Sequence, residues 1–237
     1  MPAVPAIEPV PATPAEGKKA EILAAAAELF SQNGFEGASM RELARSTGIS
    51  LAGLYHYFPD KEALLYELEK HTFGVLLESA RRAASMPATP RQRLRELIRG
   101  HVEYFLAQPD AALVLAHEDR SLAGERALQV ARLKHAYYEQ TRELAAAALP
   151  RRLDGARLRA TVLSLFGMLN WIPTWHRPGR DLDAQSLSEL VCEIFERGAA
   201  GATTAKAPAS LSKAAAVTSP DRHESSQSTE ENEPWQP

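Results

Sequence analysis

Cysteine is almost missing from this chain. Cys192 is the single one, so no disulfide can form within it, and a reducing compartment is expected. Long apolar runs are missing too. None approaches the ~20 residues that cross a bilayer, and the first residues lack a charged-then-apolar signal segment, so a cytoplasmic protein is predicted. Runs of β-branched residues are scarce while Ala, Leu, Glu and Arg are abundant, a balance that predicts an all-α fold. There is no excess of positive charge: 27 Lys and Arg stand against 30 Asp and Glu, a net charge of −3. That excludes indiscriminate coating of nucleic acid and leaves room for specific binding through few phosphate contacts. Signatures of catalysis are also wanting. No Gly-rich phosphate loop, no Gly-x-Ser-x-Gly elbow and no Cys cluster occurs. The seven histidines are scattered, with His117-Glu118-Asp119 as a weak local cluster, so no enzyme, cofactor or metal site is expected.

What is present is a chain of helical patterns between two polar or proline-rich ends. Residues 1–17, with five prolines before Lys18, predict a disordered arm, and residues 201–237, rich in Ala, Ser, Thr and Glu, a disordered tail. Between them about nine helices are expected. A first unit spans 18–64 and a helical bundle spans 65–200. The helix from Lys61 joins the two. Cys192 falls within the apolar pattern of the last helix, as a small core residue.

The most informative stretch runs from Ser39 to Leu64, SMRELARSTGISLAGLYHYFPDKEAL. Ser39 stands where an N-cap belongs, and Glu42 three residues later completes a capping box. Leu43 and Ala44 give the first short helix its inward side, with Arg41 and Arg45 on another. Gly48 can take the left-handed conformation that ends it, and Ile49 fills the angle to the next helix. Ser50 caps that second helix, and its Leu54 and Phe58, four apart, face inward. Pro59-Asp60 stops it, Asp60 capping the following helix. The pattern fits a helix-turn-helix that sets a short helix into the DNA major groove. Periodicity alone also fits an ordinary packed helix pair.

From Ile22 through AELFSQNGFEGASMRELARSTGIS to LYHYFPDKEALL, the chain resembles the DNA-binding domain of the TetR family of bacterial transcriptional regulators. One departure is visible: many members have glycine where this chain has Ala52, and here the glycine is at 53. The resemblance implies DNA contacts by Ser39, Arg41, Arg45, Ser50, Leu51, Ala52, Gly53, Tyr55, His56, Tyr57 and Lys61. Ser50 to Gly53 and His56 are at the base-facing end of the recognition helix, and Arg41 is positioned for a guanine edge. Tyr55, Tyr57 and Lys61 match phosphate-holding positions.

The second half reads as sensor and interface. The helix ATVLSLFGMLNWIPTWHRP is apolar nearly all round, so it must be covered on every side, and Pro173 should kink it by depriving the Leu169 carbonyl of its donor. The last helix places Leu187, Leu190, Val191, Ile194 and Phe195 at amphipathic spacing. The resemblance implies a homodimer built on the last two helices, with Trp171, Trp175, Leu187, Leu190, Val191, Ile194 and Phe195 at its interface. FGMLNWIPTWHRP is also similar to a stretch in TetR-type regulators of fatty-acid and sterol catabolism that sense acyl-CoA thioesters. Helix faces place Phe105, Val114, His117, Tyr137, Tyr138, Phe166 and Asn170 around a ligand cavity; plain core packing is the other reading of these residues. The function expected is a dimeric repressor that binds operator DNA and is released by a small hydrophobic effector, such as an acyl-CoA thioester. A ligand-independent or activating DNA-binding member is the alternative, and a small-molecule enzyme a distant third.

Overall fold

The computed structural model describes residues 14–117, 121–149 and 153–202, with the side chains of residues 14, 15, 117 and 200–202 left out. The expected terminal arm and tail lie almost wholly outside these residues. Where the arm does enter them it is helical: α1 (Pro14–Gly37) starts ahead of the expected Lys18. There follow α2 (Met40–Ser46), α3 (Leu51–Tyr57), α4 (Lys61–Ser85), α5 (Pro90–Ala107), α6 (Pro109–His117), α7 (Gly124–Ala148), α8 (Gly155–Asn170), α9 (Ile172–Trp175) and α10 (Ala184–Ala202). No strand occurs among the described residues, and no helix there is long and apolar enough to cross a membrane.

Local chemistry explains the boundaries. Gly34 breaks α1 with φ 70°, a left-handed conformation that glycine adopts without steric cost, and Phe35 then folds back edge-on to Phe30 at 5.4 Å. Ser39 and Glu42 form the expected reciprocal cap, at 3.0 and 3.3 Å. Gly48 sits at φ 65° between α2 and α3. Ser50 Oγ accepts from Gly53 N at 3.1 Å, and Asp60 Oδ1 from Ala63 N at 2.6 Å. Pro90 opens α5 behind a second capping box, Thr89 with Gln92. Pro109 likewise starts α6, since proline suits the first helical turn. Pro173 accounts for one helix more than expected. With no N–H to offer Leu169, it ends α8 at Asn170 and leaves α9 as a separate turn.

The side chains close two cores. One joins α1, α2, α3 and the first half of α4 around Ile22, Phe30, Leu43, Leu54, Phe58 and Leu64; Ala111 and Val114 of α6 complete it. The other fills the bundle with Leu76, Leu97, Ile98, Phe105, Val162, Leu165, Leu169, Val191 and Phe195, among others. α4 runs through both. Between its two apolar stretches lie buried Glu69 and Thr72, each with a partner: Lys134 Nζ at 3.2 Å on α7, and Tyr104 Oη at 3.1 Å on α5. The seam between the cores is therefore polar and matched.

Candidate nucleic-acid interface and ligand cavity

Packing of α1 to α3 determines what remains outside. Leu43, Leu54 and Phe58 turn inward and are buried, which leaves Ser39, Arg41, Arg45, Ser50, Ala52, Tyr55 and His56 exposed on the outer surface of α2 and α3. Leu51 and Tyr57 are half-buried against the core, with the Tyr57 ring edge-on to His56 at 5.8 Å. Gly53 has a packing reason of its own. A Cβ there would stand 2.9 Å from Ile49 Cγ2 and 3.1 Å from Ser50 Oγ, so glycine lets the turn close against the recognition helix. Lys61 is already engaged. Its ammonium donates to the carbonyls of Phe35 and Ala38, and lies 4.3 Å from the Phe35 ring centroid, so it closes the C-terminal end of α1.

The unit is fastened to the bundle at two points that the sequence did not reveal. Arg126 of α7 donates from Nη1 to Asp60 Oδ1 at 2.8 Å and lies 3.4 Å from Glu62, gripping the start of α4. The Arg126 hydrogen bond is the main reason that the Asp60 carboxyl titrates below its usual range. Ser31 of α1 donates to Asp110 of α6 at 2.6 Å. Such pairs are invisible in sequence because their partners are far apart in the chain.

Within the bundle lies a cavity of about 330 Å³. Phe105, Tyr137, Tyr138, Phe166 and Asn170, expected to line it, do so; Phe73, Leu76, His101, Ala112, Leu115, Ala116, Lys134, Leu163, Gly167 and Trp171 complete the wall. Val114 does not: it points the other way, into the core of the DNA-reading unit. The His117 side chain lies outside the described residues. His101 and Lys134 are not among the residues that the helix faces place around the cavity. Burial pushes the His101 imidazole down to about 3, so it is neutral at physiological pH, and the same burial raises Tyr137 above the ordinary phenol range. Gly167, Asn170 and Trp171 are exposed, which puts the cavity's mouth on their side.

The expected interface residues divide in two. Leu187, Val191 and Phe195 are buried within this subunit's core, since α10 packs along α5. Their assignment to an interface is corrected: the apolar pattern of α10 covers two faces, and these three occupy the inner one. Glu196 holds that face down by accepting paired hydrogen bonds from Arg91 and Arg95 at 2.6 to 2.9 Å; these, Arg95 first, depress its carboxyl to about 2. Leu190 and Ile194 are on the outer face, 44 and 53 % exposed, and Trp171, Trp175 and Leu182 are exposed as well. Five large apolar side chains between positions 171 and 194 are thus left on the surface.

Known proteins agree with this geometry. The family model for bacterial regulatory proteins of the tetR family matches residues 22–68, and that for the tetracyclin repressor-like C-terminal domain matches residues 87–199. The HTH-type transcriptional regulator UidR of Escherichia coli K12 is 37% identical over 120 residues, half of this chain, which spans about half (51%) of that relative's length. The fatty acid metabolism regulator protein of Bacillus subtilis is 24% identical over 187 residues, covering 76% of this chain and 95% of its own. Among solved structures, AibR in complex with isovaleryl coenzyme A and operator DNA superposes with a TM-score of 0.67 at 26% identity, over 76% of this chain and 98% of AibR. With both halves matched, the helix-turn-helix unit and the bundle alike, the chain belongs to the TetR family of bacterial transcriptional regulators.

Proposed function

We propose that the protein is a homodimeric repressor that holds double-stranded operator DNA and leaves it when a small hydrophobic effector, an acyl-CoA thioester, enters the bundle cavity. The observation that carries this reading is the double duty of α6. Ala112, Leu115 and Ala116 form cavity wall, whereas Ala111 and Val114 of the same helix are part of the core under the DNA-reading unit. A ligand pressing on one side of so short a helix displaces the other. Close-packed cores respond by moving between discrete arrangements, so the displacement reaches α1. The effector then acts by binding better to the arrangement that fits DNA worse.

Two copies are needed because one recognition surface is weak. Arg41, Arg45, Ser50, Ala52, Tyr55 and His56 offer few charges, and half-sites about 34–36 Å apart require two such surfaces held at fixed distance. Trp171, Trp175, Leu190 and Ile194 supply an apolar face for the second subunit. Arg41 reads a base edge, and Tyr55 and Tyr57 hold phosphates. Such a repressor works in the cytoplasm. The cavity favours this reading over a ligand-independent regulator, whose bundle would be filled.

A mobility-shift assay with the full chain on the DNA upstream of its own gene tests this. A retarded band that disappears with isovaleryl-CoA or longer acyl-CoA esters, but persists with free fatty acids, is the expected result. A band insensitive to every ester returns the ligand-independent reading, and no band at all overturns DNA binding.

A further inference from the structure

The cavity wall contains a polar atom with nothing to bind. His101 on α5 is 1 % exposed, its ring 4.1 Å from that of Phe105 between centroids, and it lines the cavity. Its Nδ1 is 2.9 Å from Tyr137 Oη on α7. Its Nε2 is the one buried side-chain nitrogen or oxygen without a hydrogen-bond partner among the described residues. Buried polar atoms are nearly always paired, so an orphan beside a cavity marks where a ligand atom belongs.

The hydrogen count fixes which kind of atom. If Nδ1–H donated to Tyr137, the phenol hydrogen and the Nε2 lone pair would both be left buried and unpaired. If the phenol donates to Nδ1, one group alone is left over, an Nε2–H donor. The second arrangement leaves fewer unsatisfied groups and is therefore the stable one. Burial also keeps the ring neutral, so a doubly protonated ring does not compete at physiological pH. The vacant partner is accordingly an acceptor. It is not a charged one: the ring has no charge to offer, and the cation on the same wall, Lys134, already sits 3.2 Å from Glu69.

We propose that His101 Nε2–H donates a hydrogen bond to a carbonyl-type oxygen on the apolar body of the cavity's ligand. This rests on the reading of the cavity as the effector site and narrows its chemistry. The effector carries a neutral ketone, ester or thioester oxygen at its buried end, on a compact body suited to the rings of Phe73, Phe105, Tyr138 and Phe166. A plain hydrocarbon chain leaves Nε2 orphaned. A volume of about 330 Å³ holds on the order of ten waters, ample for a single-ring compound. Any larger polar part stays at the mouth, by Asn170.

Acetophenone and cumene have nearly the same shape and differ in the carbonyl, so they serve as probes on the full-length protein. Calorimetric titration of each into wild type and His101→Phe gives a ratio of ratios that cancels their different hydrophobicities. The acetophenone-to-cumene affinity ratio is expected to fall about tenfold in the variant, the worth of one buried hydrogen bond. In wild type, the infrared band of carbonyl-¹³C acetophenone should move to lower frequency on binding than in a hydrocarbon solvent. This second measurement decides the matter if the variant does not fold. A band at the hydrocarbon position, an unchanged ratio, or no binding of either probe at millimolar concentration overturns the proposal. The mobility-shift assay separates this failure from that of the parent reading, because it reports DNA binding and its release by acyl-CoA whatever the acetophenone result.

Discussion

The core under α2 and α3 is closed by alkyl and phenyl groups, with Thr47 as its one buried polar side chain among the described residues, and that hydroxyl donates to the Leu43 carbonyl. The core of the bundle encloses His101, Thr141 and Ser188, an aromatic-walled cavity, and at its border the Glu69–Lys134 pair. A sealed apolar core tolerates one arrangement, which suits a unit that must present α3 to DNA at a fixed angle. A core with a cavity and an unmatched nitrogen has binding energy in reserve for a ligand, and suits a unit that must change state. The contrast teaches where rigidity and responsiveness reside: α4 and α6, which belong to both, are where one meets the other.

The largest effect is expected at the border. Lys134→Met takes the ammonium from beside the buried Glu69 carboxylate and should cost up to about 3–5 kcal/mol in denaturant unfolding, whereas Glu69→Met with Lys134→Met should recover much of the loss. A double variant as unstable as the single one would show that the border depends on the charges themselves. Next comes the sealed core. Leu54→Ala removes a fully buried side chain of the recognition helix and should cost about 2–5 kcal/mol, abolishing operator binding while the bundle's helical signal persists at moderate temperature. The bundle has a counterpart in its pH response. Because His101 is neutral when folded and titrates near 6.5 when unfolded, the unfolded chain binds one proton more below pH 6.5. Stability should therefore fall by about 1.4 kcal/mol per pH unit from there down towards pH 3. Unfolding curves for His101→Phe should lack that component.

Smaller effects fall at the DNA surface. Arg41→Ala should leave the melting temperature unchanged while weakening operator binding by about 1–3 kcal/mol and relaxing preference at one base pair. Equal loss on every operator variant would make Arg41 a phosphate contact instead. Ser39→Ala removes one half of the capping box and should cost about 1 kcal/mol of stability, read as a lower melting temperature.

How much of this was readable in the chain follows the same division. The DNA-reading unit is built from local signals: Ser39 with Glu42, Gly48, Ser50 and Asp60 act within four residues of themselves, so their roles could be read directly. Several of the cavity's aromatic residues were also legible, since Tyr137, Phe105 and Phe166 recur on inward helix faces; Phe73 was not, and Trp171 was assigned to the interface. What remained hidden depends on distance along the chain. Nothing around Arg126 announces Asp60, and nothing around Lys134 announces Glu69. The two faces of α10 show a different limit. Its apolar positions cover more than one side, and only the packing of α5 decides that Leu187 turns in while Leu190 and Ile194 stay out. α6 was split by the same ambiguity, with Val114 assigned to the cavity although its neighbour Leu115 is the one that lines it.

If the cavity and the DNA surface share one equilibrium through α6, linkage makes it measurable from the ligand's side. Calorimetric titration of isovaleryl-CoA into the full chain, free and saturated with operator DNA, gives two affinities. Binding to the DNA-bound protein should be weaker, by the same factor with which the ester weakens operator binding. Equal affinities in the two states would contradict it.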